Sequence, residues 1–394
     1  MGDRVERGQV AELDPEPGVI GRHDRFERIV HRMRLRPVLG GIALAFTPGF
    51  NVANVGAVAD EVAHSYGVGL AVVGLFTTAL FVTHAGMQIP AGRLADRFGP
   101  RLIGAAGLLI VAGASLLTLT WRQAWFAIFM RLVAGVGTAC AFVAGSEYMR
   151  ATSGTAVAQG VFGAASMVGG GLALALVPLW GTWQAPFATA SIVAVAGLGL
   201  LALAPATAPR PAGPRRLPPI TDRRLLPLGA IHAASFGLSV VAANWAVTLL
   251  ERAGGDSSRV AGAVAGLLLL LGMITRPLGG RVYGHATALR ASLVAGGAGC
   301  ALLAAGEPLA LVAFASAVAG LAAGIPFASA FAGAARVRPD APGAAVGLVN
   351  MVAAVTILVG TPLLGLTFSL PGDGRIGFVI VGALWASAAL AVRR

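Results

Sequence analysis

Long apolar runs alternate with short polar breaks along most of the 394-residue chain. Crossing the hydrocarbon core of a bilayer as a helix takes about 20 mostly apolar residues. The runs near that length lie at 37–60, 70–91, 102–120, 124–149, 155–180, 185–206, 227–250, 260–281, 288–305, 308–335, 342–369 and 374–392. They are too long for barrel strands and do not alternate apolar with polar positions. We therefore predict an all-α integral membrane protein with twelve transmembrane helices.

Two polar segments divide the chain. Residues 1–36 predict a cytoplasmic polar tail, since the first apolar run begins too late for a signal peptide. Residues 207–226, TAPRPAGPRRLPPITDRRLL, are rich in proline and arginine and predict a cytoplasmic linker. The expected fold is therefore two six-helix bundles, over residues 37–206 and 227–394.

A short internal match relates the two halves. When the sequence is shifted by 188 residues, QIPAGRL (88–94) lies over RPLGGRV (276–282), each at the end of the second run of its half. Gly92 then meets Gly280, and Gln88 meets Arg276. Pseudo-symmetric bundles around a central site are a transporter design. The match therefore predicts a substrate site between the halves.

Composition excludes a soluble protein. Only 12% of the residues are charged and the mean hydropathy is +0.79, whereas soluble domains are about 25% charged. All 29 basic residues are arginine. If both termini are cytoplasmic, the extracellular segments hold only Arg122, Arg252, Arg259 and Arg375. This positive-inside bias predicts a multi-pass protein of the cell inner (plasma) membrane with cytoplasmic termini, and it explains the net charge of +12 without a nucleic-acid partner.

The ionisable residues within the runs indicate the cargo. Every Asp and Glu beyond the tail lies near a run end or in a loop, whereas Arg131, Arg276, His84 and His232 lie inside runs. Ionisable groups within a membrane are costly and usually functional, and a guanidinium binds planar oxyanions with two hydrogen bonds. We therefore expect a small anion or an organic acid as substrate. An exporter of hydrophobic or neutral compounds is the alternative.

Further polar side chains in the runs complete the candidate substrate-binding set. Gln88 lies one helical turn after His84, and His84 could titrate near neutral pH and carry a proton. The full set is Gln88, Arg131, Arg276, His84, Asn51, Asn54, Asn244, Trp245 and Asn350. For each, the alternative is a packing hydrogen bond between helices or, for the arginines, a side chain that reaches toward the headgroups.

The segment between the second and third runs, GRLADRFGPR, resembles the signature of the major facilitator superfamily. The matching positions are Gly92, Leu94, Ala95, Asp96, Arg97, Gly99 and Arg101. Arg131, Gly135 and Gly137 in RLVAGVGTA also resemble a fourth-span motif of that family. The resemblance implies the major facilitator fold and alternating access, in which the substrate is bound and released unchanged. The glycine-rich fifth run lacks the Gly-Pro pair of the family's antiporter motif.

A narrower resemblance links QIPAGRLADRFGPR, RPLGGRVYG and residues 342–365 to the nitrate/nitrite porter branch. That branch holds its anion between arginines of the second and eighth spans. Arg276 matches the second of these, whereas Gln88 stands at the first. The asparagine of the branch's signature is also missing from GLAAGIPFASAF. The resemblance therefore favours a related small anion over nitrate itself.

The family resemblance also implies a conformational latch. Its residues would be Gly92, Asp96, Arg97, Gly99, Arg101 and Glu147. Glu147 would pair with Arg97 or Arg101, and Asp96 would lie near the start of the eleventh run, where a helix N-terminus favours negative charge. Such contacts would form in one access state and break in the other. A static network that closes the loop is the alternative.

Other function classes have little support. Motifs such as G-x-S-x-G, H-E-x-x-H and a nucleotide-binding loop do not occur in a suitable context, so we expect no enzyme activity, no cofactor and no metal site. Cys140 and Cys300 lie in apolar runs and act as small hydrophobes. A non-transporting sensor or assembly factor is a remote alternative. We expect a monomer whose partners are its substrate and the lipid bilayer; a coupling proton or counter-anion and the transport direction stay open.

Overall fold

The structure, a computed structural model, describes residues 35–152, 156–207, 222–282, 285–338 and 342–392. Most of the predicted tail and most of the predicted linker lie outside these residues; the last two residues of the tail, 35 and 36, begin the first helix. Within them, every regular element is helical. The α-helices are α1 Leu35–Ala53, α2 Ala59–Tyr66, α3 Leu70–Gly86, α4 Gln88–Phe98, α5 Pro100–Thr118, α6 Ala124–Thr152, α7 Ala156–Leu176, α8 Ala185–Ala202, α9 Leu226–His232, α10 Ser239–Gly254, α11 Ser258–Leu270, α12 Gly272–Val282, α13 Ala286–Leu302, α14 Leu309–Val337, α15 Pro342–Leu366 and α16 Arg375–Ser387.

The prediction of an all-helical membrane protein is confirmed. Among the described residues, nine helices are long and apolar enough to cross a membrane, and two bent pairs raise this number to eleven. The bent pairs are α1 with residues 56–66, at 41°, and α3 with α4, at 49°. A shorter apolar helix at Arg375–Ala391 coincides with the last predicted run. The count of twelve spans stays a prediction.

Local sequence accounts for both bends. Asn54 follows α1, where its Oδ1 accepts a hydrogen bond from the amide of Val55 at 2.9 Å and its Nδ2 donates to the Pro186 carbonyl at 2.7 Å. Pro90 lies in the first turn of α4. It has no amide hydrogen to donate to the carbonyl of Gly86, so α3 cannot continue unbroken into α4.

Glycines let the helices approach closely. A Cβ on Gly107 of α5 would lie 2.6 Å from the Gly137 carbonyl oxygen of α6, and the reverse holds for Gly137. Gly297 of α13 and Gly382 of α16 face each other in the same way. Helices in lipid have no hydrophobic driving force to associate, so they depend on close packing, which small residues at the crossings allow. The high glycine content therefore serves helix packing.

The helices of residues 35–207 and 222–392 meet along three seams: α3 with α15, α7 with α11 and α12, and the end of α1 with α10. Gly56 lies against the backbone of Asn244, and Gly74 lies against Pro362. A side chain at either position would push the two sets of helices apart. These seams define the space in which a site between the halves can form.

Candidate functional site

One end of the bundle is closed by contacts between the two sets of helices. We call it the predicted outer end; it holds the connections at residues 54–69, 119–123, 180–184, 254–257, 303–308 and 367–374. Thr78 donates to the Leu358 carbonyl at 2.7 Å, and Thr77 donates to Asn244 Oδ1 at 3.3 Å. Trp245 Nε1 donates to the Thr361 carbonyl at 2.8 Å. The predicted site residues Asn244 and Trp245 therefore take part in this closure.

Arg131 joins three helices of the first half. Its Nη2 donates to the Asn51 carbonyl at 2.7 Å, and its Nε donates to the Phe76 carbonyl at 3.3 Å. A longer contact of 3.4 Å reaches Asn51 Oδ1. Arg131 is only 2% exposed. Its hydrogen bonds go to peptide and amide oxygens, so it ties α6 to α1 and α3.

Arg276 on α12 lies among aromatic rings. Its guanidinium carbon is 3.8 Å from the ring centroid of Phe327 and 5.5 Å from that of Phe236. Nη1 donates to the carbonyl of Gly163 on α7 at 2.7 Å, which joins the two halves. Nε is buried and has no hydrogen-bond partner among the described residues. No carboxylate among the described residues pairs with Arg276 or Arg131.

His232 belongs to the same cluster. Its ring stacks on Phe236 and contacts Phe327 and Phe331, with centroids 4.8 to 5.4 Å away. Nε2 lies 3.2 Å from Asn350 Oδ1, and Nδ1 is buried without a partner. A π-helical segment, Ala233–Leu238, begins directly after His232, and such segments are frequent at functional sites. Three predicted polar residues of different helices, His232, Arg276 and Asn350, are thus brought together.

His84 lies in the corresponding part of the first half. Its Nδ1 is 3.0 Å from the hydroxyl of Thr138, which in turn donates to the Gly135 carbonyl at 3.0 Å. The His84 ring also contacts Phe81 and Phe142. His84 is 8% exposed. Gln88, one turn later, is half-buried, and its Nε2 is enclosed without a partner.

A repeated contact relates His84 to Arg276. Thr83 donates to the Leu132 carbonyl at 2.6 Å, and Thr275 donates to the Leu321 carbonyl at 2.7 Å. Three residues after each acceptor stands a glycine whose Cβ would overlap that threonine hydroxyl. His84 follows the first threonine and Arg276 follows the second. By this contact Arg276 corresponds to His84, whereas the sequence match pairs Arg276 with Gln88.

The repeat extends one further turn along α6 and α14. Thr138 lies three residues after Gly135, and Phe327 lies three residues after Gly324. Thr138 contacts His84, and Phe327 contacts Arg276. This position of the repeat therefore provides a hydroxyl partner for His84 in the first half and an aromatic partner for Arg276 in the second.

Comparison with known proteins identifies the family. The model of the major facilitator superfamily matches residues 41–282. The chain belongs to the major facilitator superfamily. It is therefore a multi-pass membrane protein and a transporter of that superfamily.

Two solved structures share the superfamily fold with this chain. One is a mutant of the nucleoside transporter NupG, at a TM-score of 0.72, with 14% identity, 91% of this chain covered and 99% of that chain. The other is NupG itself, at a TM-score of 0.68, with 14% identity and coverage of 91% and 98%. No curated protein matches the sequence. At this identity, the likeness to NupG shows the fold alone.

The superfamily signature lies at the end opposite the predicted outer end. Gly99 separates α4 from α5 with a φ of 90°, a conformation that favours glycine. Arg101 donates to the carbonyls of Leu201 and Ala202 at 3.3 and 2.9 Å. Arg97 lies over the ring of Phe98. The side chain of Asp96 lies outside the described residues.

Glu147, the acid of the predicted latch, pairs with Arg150 one turn later. Its predicted pairing with Arg97 or Arg101 stays a prediction. At the same end, hydrogen bonds from Arg224 hold the pKa of the Asp222 carboxyl at about 2. Asp222 also lies 3.8 Å from Arg338, so it links the end of the predicted linker to α14.

A separate cavity of about 520 Å³ opens at the end opposite the predicted outer end. It is lined only by residues of the second half, 222–392. Its lining includes Arg224, Leu228, His285, Ser329, Arg336 and Val392. It holds none of the predicted site residues.

The sequence did not point to the aromatic faces of the cluster around Arg276. Phe327 and Phe331 are spaced by four residues and so share one face of α14, and that spacing was the available signal. Phe236 gave no such signal, because it lies in the π-helical segment between α9 and α10, which its spacing in the sequence does not reveal. The hydroxyl of Thr138 was likewise ordinary in the sequence.

Proposed function

We propose that this transporter moves a small planar organic anion through a central site in which Arg276 binds the negative group. The observation that carries the proposal is the state of the Arg276 side chain. It is 5% exposed, makes one hydrogen bond to a carbonyl oxygen and leaves Nε unpartnered. A buried cation without a counter-charge is costly. A bound carboxylate would supply that charge and could accept two hydrogen bonds from the guanidinium.

The aromatic surroundings favour a planar substrate. Phe236, Phe327 and Phe331 present ring faces around Arg276 and His232. Aromatic rings stack in offset or edge-to-face arrangements, so the site suits an aromatic or other flat carbon skeleton attached to the anionic group. Asn350 and His232 add polar atoms that can orient it.

Arg131 is the less suitable anion partner. Its hydrogen bonds already go to oxygens of Asn51 and Phe76. An anion would have to displace these contacts between α6, α1 and α3. We therefore assign Arg131 to the framework of the first half.

The hydrogen bond from Arg276 to Gly163 suggests how substrate binding is coupled to alternating access. Gly163 lies on α7 of the first half and Arg276 on α12 of the second. An anion that draws the guanidinium away from the Gly163 carbonyl weakens one contact between the halves. Substrate binding would then shift the balance between the two access states.

A nucleoside is the second candidate. The fold likeness to NupG and the three phenylalanine rings support it, since a nucleobase can stack on such rings. It would be neutral and would leave the charge of Arg276 uncompensated, which is why we place it second. It also falls within the alternative of a neutral substrate that the sequence left open.

Counterflow into proteoliposomes tests the proposal. The labelled solutes are benzoate, small aliphatic carboxylates, nitrate, nitrite, cyanate and uridine, and each is tested with and without an imposed pH gradient. We expect uptake of the carboxylates, loss of that uptake in Arg276→Gln, and normal uptake in the exposed control Arg259→Gln. Uptake of uridine alone favours the second candidate. Uptake of the carboxylates by Arg276→Gln at the normal rate overturns the role of Arg276.

We further propose that the termini are cytoplasmic and that the protein works as a monomer in the plasma membrane. The bias of arginines toward the segments that would face the cytoplasm supports this orientation. Whether a proton or a counter-anion is coupled will follow from the effect of the pH gradient in the same counterflow experiment.

A further inference from the structure

We infer that His84 is the counterpart of Arg276 in the first half and offers the substrate a hydrogen-bond acceptor, so the transported anion also carries a hydroxyl or N–H donor. The inference rests on the proposed function for the anionic group. It goes further in naming a second recognition point and a second chemical feature of the substrate.

The repeated threonine contact places the two residues equivalently. Thr83 and Thr275 donate to Leu132 and Leu321, at nearly equal distances of 2.6 and 2.7 Å. Because His84 and Arg276 directly follow these threonines, both side chains leave their helices at the same point of the repeat. The overlap that a side chain on Gly135 or Gly324 would cause shows that both crossings are equally close.

The two side chains also approach the same part of α7. The His84 ring contacts Phe142, with centroids 6.1 Å apart, and Phe142 contacts Phe162 at 5.1 Å. The next residue, Gly163, accepts the hydrogen bond from Arg276. His84 and Arg276 are thus linked to two consecutive residues of α7, His84 through Phe142 to Phe162 and Arg276 directly to Gly163.

The hydrogen bonds of His84 determine what it can offer. A threonine hydroxyl has one proton, and we assign that of Thr138 to the Gly135 carbonyl, 3.0 Å away. The contact of 3.0 Å between Thr138 and His84 Nδ1 is then a bond donated by Nδ1–H. In a neutral imidazole the other nitrogen, Nε2, carries a lone pair.

Nε2 is available to a solute. Among the described residues it has no hydrogen-bond partner and is not one of the fully enclosed polar atoms. The small exposed fraction of His84, 8%, is consistent with access for one small group. Arg131 is a charged residue on α6, the helix that packs against α3. Its hydrogen bonds go to Asn51 and Phe76 and not to His84. Nε2 of the neutral His84 ring can therefore accept a hydrogen bond, and a hydroxyl or N–H group of the substrate can donate it.

Counterflow with matched acids tests the inference. Each of the three hydroxybenzoates is compared with its methoxybenzoate, which keeps the carboxylate and ring but lacks the donor. We expect at least one hydroxybenzoate to exceed its methoxy partner by about 10-fold in kcat/KM, the effect of a well-made buried hydrogen bond. His84→Phe should abolish this preference, and His84→Gln, which keeps an acceptor oxygen, should retain part of it. Gln123→Leu, in an exposed connection at the predicted outer end, is the control and should leave the preference unchanged.

The outcomes separate this inference from the proposed function. A preference that persists in His84→Phe overturns the role of His84 while Arg276 keeps its own. A wild-type protein that moves none of these acids overturns the proposed function, and with it the required donor. Nitrogen NMR of histidine-labelled protein decides the tautomer independently: protonated Nδ1 and unprotonated Nε2 support the inference, and the reverse assignment overturns it.

Discussion

Asp60 and Arg252 form an ion pair that joins the two halves at the predicted outer end, with Arg252 Nε donating to Asp60 Oδ2 at 3.1 Å. Both side chains are partly exposed, 37% for Arg252 and 30% for Asp60. Exposed pairs contribute about 1 kcal/mol or less. The pair therefore stabilises the closed form of the outer end by too little to prevent that end from opening.

Removing the charge of Arg252 should slightly increase the fraction of molecules whose outer end is open. We expect Arg252→Gln to raise the labelling rate of a cysteine placed at Thr77 by up to about 5-fold, the factor that about 1 kcal/mol supports. The measurement is labelling by a membrane-impermeant thiol reagent from the outer side. The swapped pair Asp60→Arg with Arg252→Asp should return the rate toward the original value. Equal rates in all three proteins would contradict the assignment of this pair to closure.

The close crossing of α3 and α6 should be intolerant of even one methyl group. At Gly135, a Cβ would overlap the Leu80 carbonyl oxygen and the Thr83 hydroxyl. We expect Gly135→Ala to lower the free energy of unfolding by about 1 to 3 kcal/mol, the usual cost of overpacking. Gly113→Ala is the matched control, because a Cβ there meets no atom within 4 Å. Thermal unfolding in detergent compares the two, and equal midpoints would refute the tight crossing.

Arg131 should affect stability more than substrate affinity. Replacing it with Gln removes its bonds to Asn51 and Phe76, and we expect a loss of about 1 to 3 kcal/mol in the free energy of unfolding. The KM of whichever acid is transported should change by less than about 3-fold, as expected when an interaction does not contact the substrate. A large rise in KM with unchanged stability would instead place Arg131 in the substrate site.

Asp96 of the superfamily signature should matter for the transport cycle. We expect Asp96→Asn to slow transport more than it reduces folding or membrane insertion, because the predicted latch places this charge near the N-terminus of the eleventh span in one access state. The measurement pairs the rate of counterflow with the amount of protein in the membrane. Asp222→Asn, at the same end, is the control. A parallel loss of rate and protein amount would make Asp96 a folding residue.

Much of the architecture was predictable from the sequence. Each predicted apolar run coincides with a helical segment, because long apolar stretches without charge have few alternatives to a helix in lipid. The bends after Asn54 and Met87 were missed, although Pro90 gave a local signal for the second. The length of an apolar run does not reveal a bend within it.

The candidate site was predicted as a list of residues but not as a geometry. Arg276, His232 and Asn350 were all named, yet their meeting depends on how α9, α12 and α15 pack, which residue type alone does not determine. The shift of 188 residues paired Gln88 with Arg276. The threonine contacts instead relate His84 to Arg276, a correspondence that the glycine-arginine match does not give.

The most direct test of the account is the concentration dependence of carboxylate counterflow in the wild type and in Arg276→Gln. If Arg276 binds the anionic group, the wild type should saturate with benzoate or a related planar acid. The variant should then lose at least about 10-fold in kcat/KM, as expected for a lost charge-assisted hydrogen bond. An unchanged kcat/KM in Arg276→Gln would contradict the account.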